Sequence, residues 1–192
     1  MPQRQCREFL EPLTPRENPA THGPAVQTVA MDNNAKHQVS DPDRHADASD
    51  KTPTVFTMII NGDLPGHFVW RDEQAVGFLS INPICRGHTL IVPTAEVDHW
   101  IDLPPDTNRH LMGVAHSVAS VQQDLFEPVR VGLIIAGFEV PHTHLHVLPM
   151  SSMADIDFAN ADMAADHGEL AQVANELREA LAAAGHGEAT DR

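Results

Sequence analysis

Apolar positions recur at two different spacings along this chain, and the switches between them mark out its elements. His67 to Arg71 and Ala75 to Ser80 are short apolar-rich runs with Asp72-Glu73 between them, the pattern of two strands joined by a hairpin turn. Asn82-Pro83 closes the second run. Arg86-Gly87 leads into a third, Thr89 to Val92, ended by Pro93. From Asp106 to Leu125 the spacing changes. Leu111, Val114, Val118, Val121 and Leu125 fall three or four apart, which predicts a helix, and Pro104, Pro105 and Asp106 supply its start signal. Arg130 to Ala136 and His142 to Leu148 return to strand character, the second stopped by Pro149. Glu169 to Ala184 is an alanine-rich amphipathic helix with Leu170, Val173, Leu177 and Leu181 on one stripe and Gly185 as its stop. Thr54 to Ile60 is apolar and reads equally as a strand or as the first turns of a helix; Asn61 to Gly66 then turns the chain. This order predicts an α+β fold: a five-stranded antiparallel sheet with a central helix packed on it, plus a C-terminal helix.

The flanks differ from the middle. Residues 1–53 are rich in Pro, Asp, Asn, Gln, Ser and Thr with few large apolar residues, so they read as a disordered leader; Met31 offers an alternative start. Residues 54–150 hold the patterned domain. Residues 151–192 read as an acidic, solvated helix and tail. Over the whole chain, 12 basic residues against 27 acidic ones leave a formal charge of −15, and Lys36 and Lys51 are the only lysines. A bulk nucleic-acid binder neutralises phosphates with a basic stripe, so no nucleic-acid partner is expected. No apolar run is long enough to span a bilayer, and the N-terminus lacks a charged-then-apolar export pattern, so no membrane partner is expected and the cytoplasm is the expected compartment. The two cysteines, Cys6 and Cys85, form no CxxC pair.

The chemistry lies in Pro141-His142-Thr143-His144-Leu145-His146-Val147-Leu148-Pro149. In a strand, alternate side chains face opposite ways, so His142, His144 and His146 share one face while Thr143, Leu145 and Val147 turn to a core. Three readings fit such a face: a half-buried strand whose polar side happens to be histidine, a metal site completed from elsewhere, or phosphoryl transfer with one imidazole as nucleophile and its neighbours as donors.

The run His-φ-His-φ-His-φ-φ, with φ apolar or small, resembles the signature of the histidine-triad family of nucleotide hydrolases and transferases. Val55 to Pro65 is similar to that family's opening segment. Gly77 to Pro83 followed by Gly87 to Pro93 is similar to its second block, and Asp98 to Leu103 to its run into the central helix. The resemblance implies that His144 is a nucleophile that attacks the α-phosphate of a purine nucleoside 5′-phosphate derivative. It implies that the His142 carbonyl fixes the tautomer of His144, that His142 and His146 flank the phosphate, and that His88 reaches the same site. It places the purine slot at Val55, Phe56, Ile59, Phe78 and Ile81, with Leu90 nearby, and ribose contacts at Ser80 or Asn82. It implies no cofactor.

Departures from the family pattern bear on which of its branches the chain resembles. Many members carry Asp where Ser80 stands, and an Asn near Gly132 is missing. Phe138 replaces a Gln that contacts phosphate in the dinucleoside-polyphosphate hydrolases, and Glu139 replaces a small hydroxyl residue. The resemblance is therefore nearer the phosphoramidase-like branch. Some bacterial members hold zinc with a cysteine pair in the opening segment plus histidines. Thr54 and Thr57 occupy those places here, so no metal is expected. Members commonly pair the central helix and an edge strand across a two-fold axis, and a homodimer is expected; a monomer whose last helix covers that surface is the competing reading.

Overall fold

A computed structural model describes residues 52–191; the expected leader up to residue 51 and the Met31 start lie outside the described residues. The elements are α1 (Val55–Asn61), β1 (Phe68–Arg71), β2 (Ala75–Leu79), β3 (Thr89–Pro93), α2 (Pro105–Phe126), β4 (Arg130–Ile134), β5 (Leu145–Met150) and α3 (His167–Ala183), with single 3-10 turns at Trp100–Asp102, Met153–Ile156 and Phe158–Asn160. The five strands form one sheet in the order β1-β2-β3-β5-β4, every neighbour antiparallel. The expected α+β fold is present, with α2 as the central helix.

The first apolar run resolves to helix. The Thr54 side chain caps α1 by accepting the Thr57 N–H, and Gly62 ends it in the left-handed region at φ 85°. The fourth strand ends at Ile134 rather than Ala136, and both expected boundaries of the last strand move. The last strand begins at Leu145 rather than His142, because the N–H of His142 donates to the Val140 carbonyl and that of Thr143 to the Val97 carbonyl instead of to a ladder partner. Nor does Pro149 stop it. Pro149 sits within β5 opposite Val131, beyond Val147, where the pairing with β3 ends and a missing N–H is tolerated. At the far end of α2, Leu125 is exposed rather than part of the buried stripe.

Strand periodicity divides the core in two. One face, carrying Val69, Leu79, Ile91, Leu145 and Val147, packs on Leu111, Val114 and Val118 of α2 and on Leu170, Val173, Leu177 and Leu181 of α3. So α3 is not a solvated helix: its stripe closes the main core. The other face carries Phe68, Val76, Phe78, Leu90 and Val92 beneath Phe56 and Ile59 of α1. Strand register lines up Phe68, Phe78, Leu90, His146 and Ile134 across that face. An aromatic and aliphatic row thus runs straight into a histidine.

Candidate active site

The row from Phe78 to His146 floors a cavity of about 300 Å³. Its walls include Val55, Phe56 and Ile59 from α1, Ser80, Ile81 and Asn82 after β2, and His88 and His144. All nine side chains expected to bind substrate thus line one hollow with two of the three expected catalytic ones, Phe78 and Leu90 in its floor. Val55 and Ile81 form the rim, Ile81 being 55% exposed. Ser80 Oγ accepts the Asn82 N–H at 3.3 Å, so the hydroxyl keeps its own proton for another partner.

The ring of His142 is elsewhere. It is wholly buried, at 0% exposure, and does not line the cavity. Its Nε2 lies 2.9 Å from the Pro93 carbonyl and its Nδ1 3.0 Å from Thr54 Oγ1. Both nitrogens are occupied by the protein, so the ring does not flank a phosphate; what His142 presents toward the site is its carbonyl.

Backbone partners fix the proton on His144 and His88, and His88 fixes it on His146. A carbonyl only accepts, so His144 Nδ1, 2.8 Å from the His142 carbonyl, carries a hydrogen and donates it; Nε2 keeps a lone pair. The Ile84 N–H donates to His88 Nδ1 at 3.3 Å, so His88 carries its hydrogen on Nε2 and donates it to His146 Nδ1 at 2.9 Å. His146 Nε2 therefore bears a hydrogen. The site holds one imidazole lone pair and one imidazole N–H, on rings with centroids 4.8 Å apart.

All four rings are held neutral. Burial lowers the His146 pKa to about 3, helped by His144 and His88, and burial lowers that of His88 to about 4, helped by His144. Burial also lowers His144 and His142; the Glu139 carboxylate opposes this at His144, where it favours a positive ring. A neutral imidazole is nucleophilic, and one that gains positive charge on attack is stabilised by a nearby carboxylate. Cys85 is no competitor: burial, with Asp155, pushes its thiol to about 11.

Gly87 sets the depth of His88. It has φ 84°, and a Cβ there would lie 2.5 Å from the Phe126 ring, so the loop packs on α2 only as glycine. The Gln122 side chain of α2 then donates to the Gly87 carbonyl at 2.9 Å.

The HIT domain pattern matches residues 61–153. An uncharacterized HIT-like protein of Methanocaldococcus jannaschii is 35% identical over 99 residues, spanning 50% of this chain and 77% of that protein. The chain belongs to the histidine-triad family. A crystal structure of a Zn-bound histidine triad family protein from Mycobacterium smegmatis superposes with a TM-score of 0.58 at 28% identity, covering 68% of this chain and 94% of that one. The bis(5′-nucleosyl)-tetraphosphatase (asymmetrical) of Schizosaccharomyces pombe is 26% identical over 111 residues, 54% of this chain and 61% of that enzyme.

Among the described residues no three His, Cys, Asp or Glu side chains converge as a metal site. The two threonine hydroxyls in the cysteine places are engaged with each other's surroundings and are not zinc ligands of the usual kinds.

Some site residues lie outside the family pattern. Phe158, Ala161 and Met163 close one side of the cavity, with the Phe158 ring edge-on to His146 at 4.9 Å. The only hint of this in the sequence is an aromatic residue inside an acidic stretch. A second hollow, of about 230 Å³, meets the first at His144 and His146, between Phe158 and the 94% exposed Phe138. His99 and Trp100 line a third hollow that also reaches His144.

Proposed function

We propose that this protein is a hydrolase or transferase acting at the α-phosphate of purine nucleoside 5′-phosphate derivatives through a nucleotidyl-histidine on His144. The observation that carries this reading is the pair of fixed tautomers: a lone pair on His144 Nε2 beside a donor on His146 Nε2. The His144 lone pair forms the N–P bond. The bond from phosphorus to the leaving group breaks, and its electron pair departs with that group, whose leaving atom accepts a hydrogen bond from the His146 Nε2–H and takes a proton from solvent. Water then adds to phosphorus and releases a proton to solvent, the N–P bond returns its pair to His144, and nucleoside monophosphate is released. The apolar side of the cavity, lined by Phe56, Ile59, Phe78 and Leu90, suits the face of a flat base, with Ser80 and Asn82 toward the ribose.

Two hollows meeting at His144 and His146 suit a nucleoside on one side and a leaving group on the other. No Lys or Arg lines either, and Glu139 lines both. A polyphosphate leaving group would meet no countercharge there and one like charge. An amine meets apolar rings and a carboxylate, so the phosphoramidase-like reading is favoured. A side-by-side assay of an adenosine 5′-phosphoramidate and diadenosine tetraphosphate tests it. The expected result is kcat/KM at least about tenfold higher for the phosphoramidate, which corresponds to ~1.4 kcal/mol in transition-state discrimination. Preference for the tetraphosphate would reverse the reading.

A further inference from the structure

The cysteine places of the zinc-holding relatives are filled here by a hydrogen-bonded assembly that closes on His142. The Pro93 carbonyl can only accept, so His142 Nε2 carries the hydrogen and Nδ1 is a lone pair, to which the Thr54 hydroxyl donates at 3.0 Å. Thr54 Oγ1 accepts the Thr57 N–H at 3.2 Å. The Thr57 hydroxyl donates to Glu96 Oε2 at 2.5 Å, and the same oxygen accepts the Thr54 N–H at 3.1 Å. With the Thr57 proton on Glu96, the Thr54 proton goes to the unprotonated His142 Nδ1, although Thr57 Oγ1 also lies 3.0 Å from Thr54 Oγ1 and 3.5 Å from that nitrogen. The assembly ties three stretches together: the start of α1, the segment after β3, and the approach to β5. It ends on the residue whose carbonyl receives the His144 Nδ1 hydrogen at 2.8 Å.

We propose that Thr54, Thr57 and Glu96 form a metal-independent clamp that positions His142, and through its carbonyl sets the tautomer and aim of the His144 nucleophile. These are positioning residues: none of Thr57, Glu96 and Thr54 lines the cavity. The catalytic half of this inference rests on the function proposed above. Remove the Thr54 hydroxyl and a wholly buried imidazole nitrogen loses its donor. The ring can then turn or exchange tautomer, and the carbonyl two bonds away from its Cβ moves with it.

The test uses the full chain. Nitrogen-15 histidine spectra of the wild type should show His142 as the Nε2–H tautomer with a hydrogen-bonded Nδ1, unchanged after dialysis against EDTA. Thr54→Val should shift the His142 Nδ1 signal and lower kcat about 10- to 100-fold, the range for losing a group that orients a reacting side chain, with KM for the phosphoramidate unchanged. Thr54→Ser, which keeps the donor, should restore both signals and kcat. Should Thr54→Val fail to fold, Glu96→Ala reads the same two quantities. Wild-type kcat in Thr54→Val, an unshifted His142 signal, dependence of that signal on metal, or a loss of KM and kcat in step with melting would each overturn the clamp. The spectra need no substrate. A wild type that turns over no nucleotide would therefore sink the functional reading, while the clamp stands or falls on its ring signals.

Discussion

Three of the four histidines at this site are assigned a proton by a backbone group, and His146 takes its assignment from His88. The carbonyls of Pro93 and His142 and the N–H of Ile84 set the first three, not bulk pH. Neutral rings follow from burial, and burial sets a pH dependence. His88 and His146 are depressed in the folded chain to about 4 and about 3, against an ordinary 6.5 when unfolded. Below pH 6.5 the unfolded chain binds more protons than the folded one, so stability falls as pH falls, and keeps falling toward pH 4. Thermal melts at several pH values should show Tm level above pH 7 and declining between 6.5 and 4. Because burial also lowers His144, the acid limb of kcat/KM should lie below pH 6.5. A Tm that is flat or rises over that window would mean the rings are not buried and neutral. The sequence shows the alternation of His142, His144 and His146 at once. It does not show that His142 turns its ring away, because that depends on a proline carbonyl and a threonine hydroxyl 49 and 88 residues distant along the chain.

Among the elements, those with long patterned runs are legible and those fixed by tertiary contact are not. The 3.6-residue stripe of α2 and the paired runs of β1 and β2 are local properties. The start of β5 is not local: the His142 and Thr143 amides are taken by Val140 and Val97, so the ladder begins only at Leu145. The α1 helix is legible in hindsight from its caps, Thr54 and Gly62, which flank seven residues that periodicity leaves ambiguous. The segment after β5 is the clearest case. Its acidity suggests solvent, yet Phe158 lies against the His146 ring and closes the cavity. As a wall of the cavity, Phe158 also offers its ring to a bound base, a contact worth ~0.5–1.5 kcal/mol beyond its area. Phe158→Ala should therefore raise KM for an adenosine phosphoramidate about threefold to tenfold. Its melting temperature should change little, because the residue is partly exposed and stands outside both core clusters. An unchanged KM would remove this segment from the site.

At the scale of the whole molecule, the question is what covers the surface of α2 that the sheet does not. Part is covered by α3, as Leu177 and Leu181 pack in the same cluster as Leu111 and Val118. Part is left open. Met112 and Leu133 are 43% and 42% exposed, and together with Ala115 and Val131 they line a groove between α2 and β4, the strand at the sheet edge. An open strand beside an apolar groove favours symmetric pairing with a second copy, as expected from the family. Light scattering should give about twice the 21.0 kDa chain mass at micromolar concentration. Leu133→Glu should give the single-chain mass with a cooperative melt, since that side chain is exposed in the single chain. Val114→Glu or Val118→Glu would unfold the protein instead, both being buried in the core. A fully active wild-type monomer at high concentration would contradict pairing. Among the described residues no helix is long and apolar enough to cross a membrane.

Attack of His144 Nε2 on phosphorus is read most directly from the mass of the intact protein quenched in acid-free conditions during turnover of an adenosine phosphoramidate. One added nucleotidyl group per chain is expected, mapping to the peptide that contains His144 and released by water as the monophosphate. No adduct and no turnover are expected for His144→Asn, with nucleotide binding and fold retained, because an amide replaces the ring with little loss of packing at a cavity wall. Turnover without an adduct, an adduct on another residue, or an active His144→Asn would contradict it.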